Sequence, residues 1–233
     1  MKYAFLIFML VATVHADVVN GTFAGTGSSV YNATDIPGWT TLAPIDWISY
    51  TDNWPGPDAS AVNSVDLDGS PGPGAITQTI STAAGQYYTL SFWLNVNPNY
   101  DYLPNPKVLT VTAGSTSSQF SKSLPTYPQG VNGPVFPNNV YNTPGVLAPY
   151  VANWSQETLG FTATGSTTAI TFTSDSPSPL PGSVFTYPYN GAVITDVSVS
   201  VPEPGFFVVF GAFALVLTGF MAVFNRRNGD QQV

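Results

Sequence analysis

Tyr87-Tyr88-Thr89-Leu90-Ser91-Phe92-Trp93-Leu94 alternates strictly between two kinds of side chain. Tyr88, Leu90, Phe92 and Leu94 fall on one side; Tyr87, Thr89, Ser91 and Trp93 fall on the other. Successive side chains of a strand point to opposite faces, so this stretch reads as a strand with one buried face. The same period recurs around it. Leu109 and Val111 alternate with Thr110 and Thr112, and Leu159, Phe161 and Ala163 with Gly160, Thr162 and Thr164. Ile170 and Phe172 alternate with Thr171 and Thr173, and Val193, Val197 and Val199 lie at even spacing. β-Branched and aromatic residues dominate these segments, and Gly, Pro, Asn and Ser bound them. Between Asp17 and Val201 no stretch keeps a helical period for three turns. One-sided alternation fits sheets packed face to face, so the expectation is an all-β, antiparallel β-sandwich of about eight or nine strands. A body of about 185 residues buries an adequate core without disulfides.

The composition narrows the chemistry. The chain has 233 residues, of which 8% are charged, and Gly and Pro contribute 21 each. Cysteine is absent, which removes disulfides and thiolate metal sites. The single histidine, His15, lies in a segment read below as cleaved. A mature chain without His or Cys has no Ser-His-Asp or Cys-His machinery and no imidazole acid–base chemistry. The formal net charge is −8, and the only lysines of the body are Lys107 and Lys122. That field repels polyphosphates, so nucleic acid is excluded as an expected partner. Both lysines read as exposed in polar surroundings, where an ammonium keeps its proton.

The two ends read as addresses. Lys2 precedes the apolar run Tyr3 to Val14, and a small residue, Ala16, stands before Asp17. This is the pattern of a secretory signal peptide over residues 1–16; an uncleaved anchor is the alternative. At the other end, 206–224 carries no charge and has one polar side chain, Thr218, before Arg226 and Arg227. It is long enough for one C-terminal transmembrane helix, and the Arg pair orients the chain with its N-terminus outside. Pro202-Glu203-Pro204, an apolar helix and an Arg pair, in that order over residues 202–233, resemble the PEP-CTERM sorting signal of bacterial surface proteins. The resemblance implies processing by an exosortase-type membrane protease and an exported protein held at the membrane, then at the cell surface or in the extracellular matrix. The tail beyond Arg227 is longer than that signal's usual end. Read without the resemblance, the two prolines make a stiff linker.

Residues 17–201 carry a second likeness. Ser64-Val65-Asp66-Leu67-Asp68-Gly69, Gly74-Ala75-Ile76-Thr77-Gln78-Thr79 and Gly85-Gln86-Tyr87-Tyr88-Thr89-Leu90-Ser91-Phe92 resemble the bacterial choice-of-anchor C domain, itself similar to the DUF642 proteins. Trp154, Phe161-Thr162-Ala163-Thr164 and Ile170-Thr171-Phe172 extend the match. Gly191 to Val199 resembles the closing strand, with Thr195 in place of a usual acid and Asp196 keeping the second. The resemblance implies a galactose-binding-like jelly roll on an exported protein; the activity of such domains is poorly defined. Two long Pro/Asn-rich segments, 95–106 and 123–153, interrupt the strands. The second holds Tyr127, Phe136, Tyr141 and Tyr150, with Trp154 just beyond, so it is expected to pack on the sandwich.

Three groups of residues invite chemistry. Asp66 and Asp68, two apart on a strand, share a face opposite Val65 and Leu67 and form a candidate calcium pair; the alternative is two solvated acids. Trp47, Tyr50, Asp52 and Trp54, beside Asp46 and Asn53, form an acidic-aromatic cluster suited to a neutral sugar; the alternative is core tryptophans. Glu157, the only Glu of the body, alternates with Leu159 and Phe161 and so shares their face. The sequons at Asn20, Asn32 and Asn153 arise readily by chance in such a composition. The resulting expectation is a surface-anchored, non-catalytic protein, structural or binding extracellular polysaccharide of a biofilm matrix. The alternative is a hydrolase acting on such polysaccharide through a carboxylate pair.

Overall fold

The computed structural model describes residues 16–52, 54–60, 62–69, 72–97, 106–124, 147–175 and 191–202. Residues 1–15 of the expected signal peptide, Glu203, Pro204, the stretch 206–224 and Arg226-Arg227 lie outside them. The chain divides into two compact units, the first ending at Val201 and the second beginning at Pro202. Among the described residues no helix is long and apolar enough to cross a membrane.

Among the described residues the first unit holds ten strands: β1 (Val30–Ile36), β2 (Trp39–Ile48), β3 (Ser64–Asp66), β4 (Ala75–Ser81), β5 (Tyr87–Val96), β6 (Lys107–Ala113), β7 (Thr116–Lys122), β8 (Ser155–Thr162), β9 (Thr167–Ser174) and β10 (Ala192–Ser200). A single short α-helix among the described residues, α1 (Leu147–Ala152), precedes β8. Every pairing is antiparallel. β2 is the pivot. It pairs with β4 through Thr40–Ala43 and with β3 through Asp46–Ile48, so β3 and β4 follow one another along it. From β3 the sheet continues through β10 and β5 to β8; from β4 it continues through β9 and β6 to β7.

These two arms fold over one another. Phe92 of β5 meets Phe172 of β9 and Phe120 of β7 edge-on, at centroid distances of 5.1 and 5.2 Å. Edge-to-face rings at this distance stabilise beyond the area they bury. Tyr88, Leu90, Phe92 and Leu94 all point into this core, as their alternation predicts, together with Leu109, Val111, Ile170 and Phe172. The free edges of the arms, β7 and β8, are tied across the gap. Lys122 Nζ donates to Ser155 Oγ at 2.9 Å, and that hydroxyl donates to Glu157 Oε1 at 2.7 Å. The result is a sandwich closed almost into a barrel.

β10 departs from even spacing. A bulge between Thr195 and Ser198, with Asp196 at φ 49°, inserts one residue opposite β5. Val193 therefore faces outward, while Val197 joins the interior core and Val199 packs against it.

A second apolar cluster lies on the outer side of β3 and β10. It unites Ile48, Val193, Trp54, Tyr150 and Trp154, with Trp93 and Leu147 at its margin. The described part of the long 123–153 segment thus packs on the sandwich, through Tyr150 of α1 against Trp154.

Candidate functional site: an open aromatic and hydroxyl face

Trp47 and Trp54 do not form a sugar platform. Trp47 is 7% exposed and donates its indole N–H to the Phe23 carbonyl at 2.7 Å. Trp54 is 6% exposed within the second cluster. Neither offers the open ring face that stacking on a sugar needs. A buried aromatic brings a large apolar area to a core, and here that use prevails. Tyr50 is 38% exposed at the end of β2; the Asp52 side chain lies outside the described residues.

Asp66 and Asp68 are fully buried. Burial overturns the alternative of two solvated acids on an outer face. Asp66 Oδ1 accepts from the amides of Asp68 at 2.9 Å and Gly191 at 3.0 Å, and its Oδ2 accepts from Asn97 Nδ2 at 2.6 Å. Asp68 Oδ1 accepts from the Ser174 hydroxyl. Three N–H donors thus converge on the Asp66 carboxyl. Among the described residues no three acidic, His or Cys groups are placed to hold a metal. Burial, then the neighbouring Asp68 and Asp46 charges, push the Asp66 carboxyl well above the usual carboxylate range. Gly191 seals the arrangement: a β-carbon there would lie 2.7 Å from Asp66 Oδ1 and from Asp68 Cβ and Cγ. Lys107, read from sequence as exposed, is 1% exposed. Lys122 is half-buried at the seam, where burial lowers its pKa and Glu157 partly restores it.

The outer face of β10, β5 and β8 beyond the second cluster is open. Its axis is β5, whose outward residues are Tyr87, Thr89, Ser91 and Trp93. Ser200, Thr89 and Gly160 form one row across the three strands; Ser198, Ser91 and Thr158 form the next, and Trp93 stands opposite Gln156. The hydroxyls of Ser91 and Ser198 are hydrogen-bonded at 2.9 Å. Tyr87 is 49% exposed and lies down across Gly160, its hydroxyl 1.9 Å from where a β-carbon would be. Only a glycine leaves that space. Trp39, Trp47, Trp54 and Trp154 are buried, whereas Trp93 keeps part of its ring in solvent. Tyr87 and Trp93 are six residues apart, about 20 Å along a strand. Two aromatics thus bracket uncharged rows of hydroxyl and amide groups.

Sequence reasoning placed Tyr87 and Trp93 on the polar side of this strand without naming them as a site. The usable signal was an aromatic at each end of the wet face of an amphipathic strand, a position that core packing does not ask for.

Comparison with known proteins adds the following. The enzymatically active domain of bacteriophage CBA120 tailspike protein 4 superposes with TM-score 0.39 at 13% identity, over 80% of this chain and 21% of that one. An arabinose-bound GH51 α-L-arabinofuranosidase gives TM-score 0.44 at 14% identity, over 81% and 27%. A CBM4 structure gives TM-score 0.39 at 13% identity, over 79% of this chain and 99% of that one. Likeness at this level says nothing of what this chain binds. The sequence matches no curated protein. Residues 19–132, which span β1 to β7, match the model of the family described as Protein of unknown function (DUF642).

Proposed function

We propose that the body is a non-catalytic module that binds a neutral extracellular polysaccharide along the outer face of β10, β5 and β8. The observation that carries this reading is the pair Tyr87 and Trp93 on the wet side of β5, with uncharged hydroxyl and amide rows between them. An aromatic ring supports the C–H face of a sugar, and Ser, Thr and Gln side chains exchange hydrogen bonds with its hydroxyls. An extended polymer is the natural occupant of a face this long. The competing reading, a polysaccharide hydrolase, requires two carboxyls across an open cleft. The adjacent acids Asp66 and Asp68 are enclosed and hydrogen-bonded to internal donors, which favours the binding module.

The protein carrying this module is read as an exported galactose-binding-like jelly roll anchored at the cell surface. Lys2 with its apolar run, and Pro202-Glu203-Pro204 with 206–224 and Arg226-Arg227, support that address and an exosortase-type protease as a partner. Mass spectrometry of surface protein tests it. The expected species starts at Asp17 and lacks 206–224; an intact Arg226-Arg227 tail on surface protein contradicts removal. A glycan array of neutral polysaccharides, probed with the 17–201 protein, tests the binding. Retention lost in Trp93→Ala and Tyr87→Ala variants of native fold is expected, and equal retention refutes the site.

A further inference from the structure

The outer face of the second arm carries a row of hydroxyls. Thr40 of β2 pairs with Thr77 of β4, Thr77 with Thr171 of β9, Thr171 with Thr112 of β6, and Thr112 with Ser117 of β7. Adjacent strands lie about 4.8 Å apart, so this row crosses five strands over about 19 Å. In the next row Thr173 pairs with Thr110 and Thr110 with Gln119. Asp175 stands exposed just past the end of β9. The outward residues of β4, β9, β6 and β7 include no aromatic and no charged side chain. This face therefore differs from that of β10, β5 and β8, where Tyr87 and Trp93 bracket the hydroxyls.

The hydrogens at the middle of this face are spent internally. A threonine hydroxyl has one hydrogen and two lone pairs. Thr77 gives its hydrogen to the Ile170 carbonyl at 2.8 Å, so Thr171 is the donor in the 2.9 Å contact between the two hydroxyls. Thr112 and Ser117 use one hydrogen between them across 3.2 Å. Thr110 gives its hydrogen to Asp175 Oδ2, and Gln119 Nε2 donates to the same oxygen at 3.3 Å. These two donors hold the Asp175 carboxylate against β6 and β7. What the middle of the face offers outward is lone pairs, beside one carboxylate.

We propose that this face is a second binding site, for a linear polysaccharide that carries protonated amino groups, with Asp175, Thr110 and Thr171 as acceptors. An ammonium has three donors and no acceptor, which complements lone pairs beside a carboxylate. Hydrogen bonds to an ionised group are about twice as strong as neutral ones. A neutral sugar finds no aromatic ring to stack on here, and the lone pairs of its hydroxyls meet few donors. The formal net charge of −8 draws a polycation toward the protein. Neither body lysine opposes it: Lys107 is buried, and Lys122 donates to Ser155 at the seam. A row about 19 Å long meets several sugar units at once, and weak contacts repeated along one chain gain from their linkage. The site is separate from the face proposed for neutral polysaccharide, so one protein would hold two different chains.

Retention of the full-length protein, in a sugar-free detergent, on immobilised chitosan tests this, with the same polymer fully N-acetylated as the neutral control. The wild type should bind chitosan at least about tenfold more tightly than the control, the worth of one hydrogen bond to a charged group. Asp175→Asn, folded by circular dichroism, should weaken chitosan binding by at least about tenfold, and Thr110→Val should act in the same direction. Asp35→Asn removes an exposed charge from β1 and should change binding by less than about twofold. Trp93→Ala should leave chitosan binding unchanged, which separates this site from the neutral-polysaccharide face. Equal binding of the wild type to the two polymers overturns the proposal, whether or not the variants fold. Equal losses in Asp175→Asn and Asp35→Asn reduce the effect to net charge and overturn the site, and so does a loss in Trp93→Ala.

Discussion

Replacing Phe92 tests whether the two arms pack as one core. Its ring is fully buried and meets Phe172 and Phe120 edge-on, at interplanar angles of 82° and 84°. Truncating a buried Phe to Ala costs about 3–5 kcal/mol, and contact with two rings on the opposite arm places this one in the upper half of that range. Against a total stability of about 5–15 kcal/mol, Phe92→Ala should leave the 17–201 protein folded with a markedly lower urea midpoint. The more specific figure is the coupling. A double-mutant cycle between Phe92→Leu and Phe172→Leu should return about 0.5–1.5 kcal/mol, the worth of an aromatic pair beyond its area. A coupling within about 0.3 kcal/mol of zero would refute the face-to-face arrangement, because residues that do not touch add independently.

The folded protein holds the Asp66 proton at pH values where the unfolded chain has lost it. Stability should therefore fall as pH rises from about 4, by up to about 1.4 kcal/mol per pH unit until the folded group itself ionises. Asp66→Asn should flatten that fall in urea titrations at several pH values, and equal slopes would contradict it. Gly191→Ala would push a methyl against Asp66 and Asp68 and should cost about 1–3 kcal/mol; an unchanged melting temperature would show that the strand start can move aside. Gly160→Ala meets only the exposed Tyr87 side chain. It should leave the melting temperature nearly unchanged while displacing the ring and weakening polysaccharide retention.

Much of the sandwich was legible because alternation and burial are the same fact seen twice. Tyr88, Leu90, Phe92 and Leu94 face inward as their period requires, and Leu109, Val111, Ile170 and Phe172 do likewise. Even spacing failed where backbone irregularity intervened: the bulge at Asp196 puts Val193 on one side and Val197 on the other. The sites were less legible. Asp66 and Asp68 do stand opposite the buried Val65 and Leu67, but a strand pattern cannot tell an open outer face from one closed by residues distant in sequence, here Asn97, Ser174 and Gly191. Trp54 is core because it packs with Ile48, Tyr150, Trp154 and Val193. Lys107 looked exposed because its neighbours in sequence are polar and proline-rich, yet its register at the start of β6 turns it inward. Tyr87 and Trp93 were visible on the wet side of their strand; what singles them out is that Trp39, Trp47, Trp54 and Trp154 are buried.

Binding of the 17–201 protein to soluble neutral polysaccharides, measured by affinity electrophoresis, tests the binding face most directly. The wild type should be retarded, and Trp93→Ala should weaken the interaction by at least about tenfold, since aromatic anchors carry most of the energy at such contacts. Tyr87→Ala should act in the same direction, with both variants unfolding at the wild-type urea midpoint within about 1 kcal/mol. Two folded variants that bind as tightly as the wild type would contradict the assignment of this face.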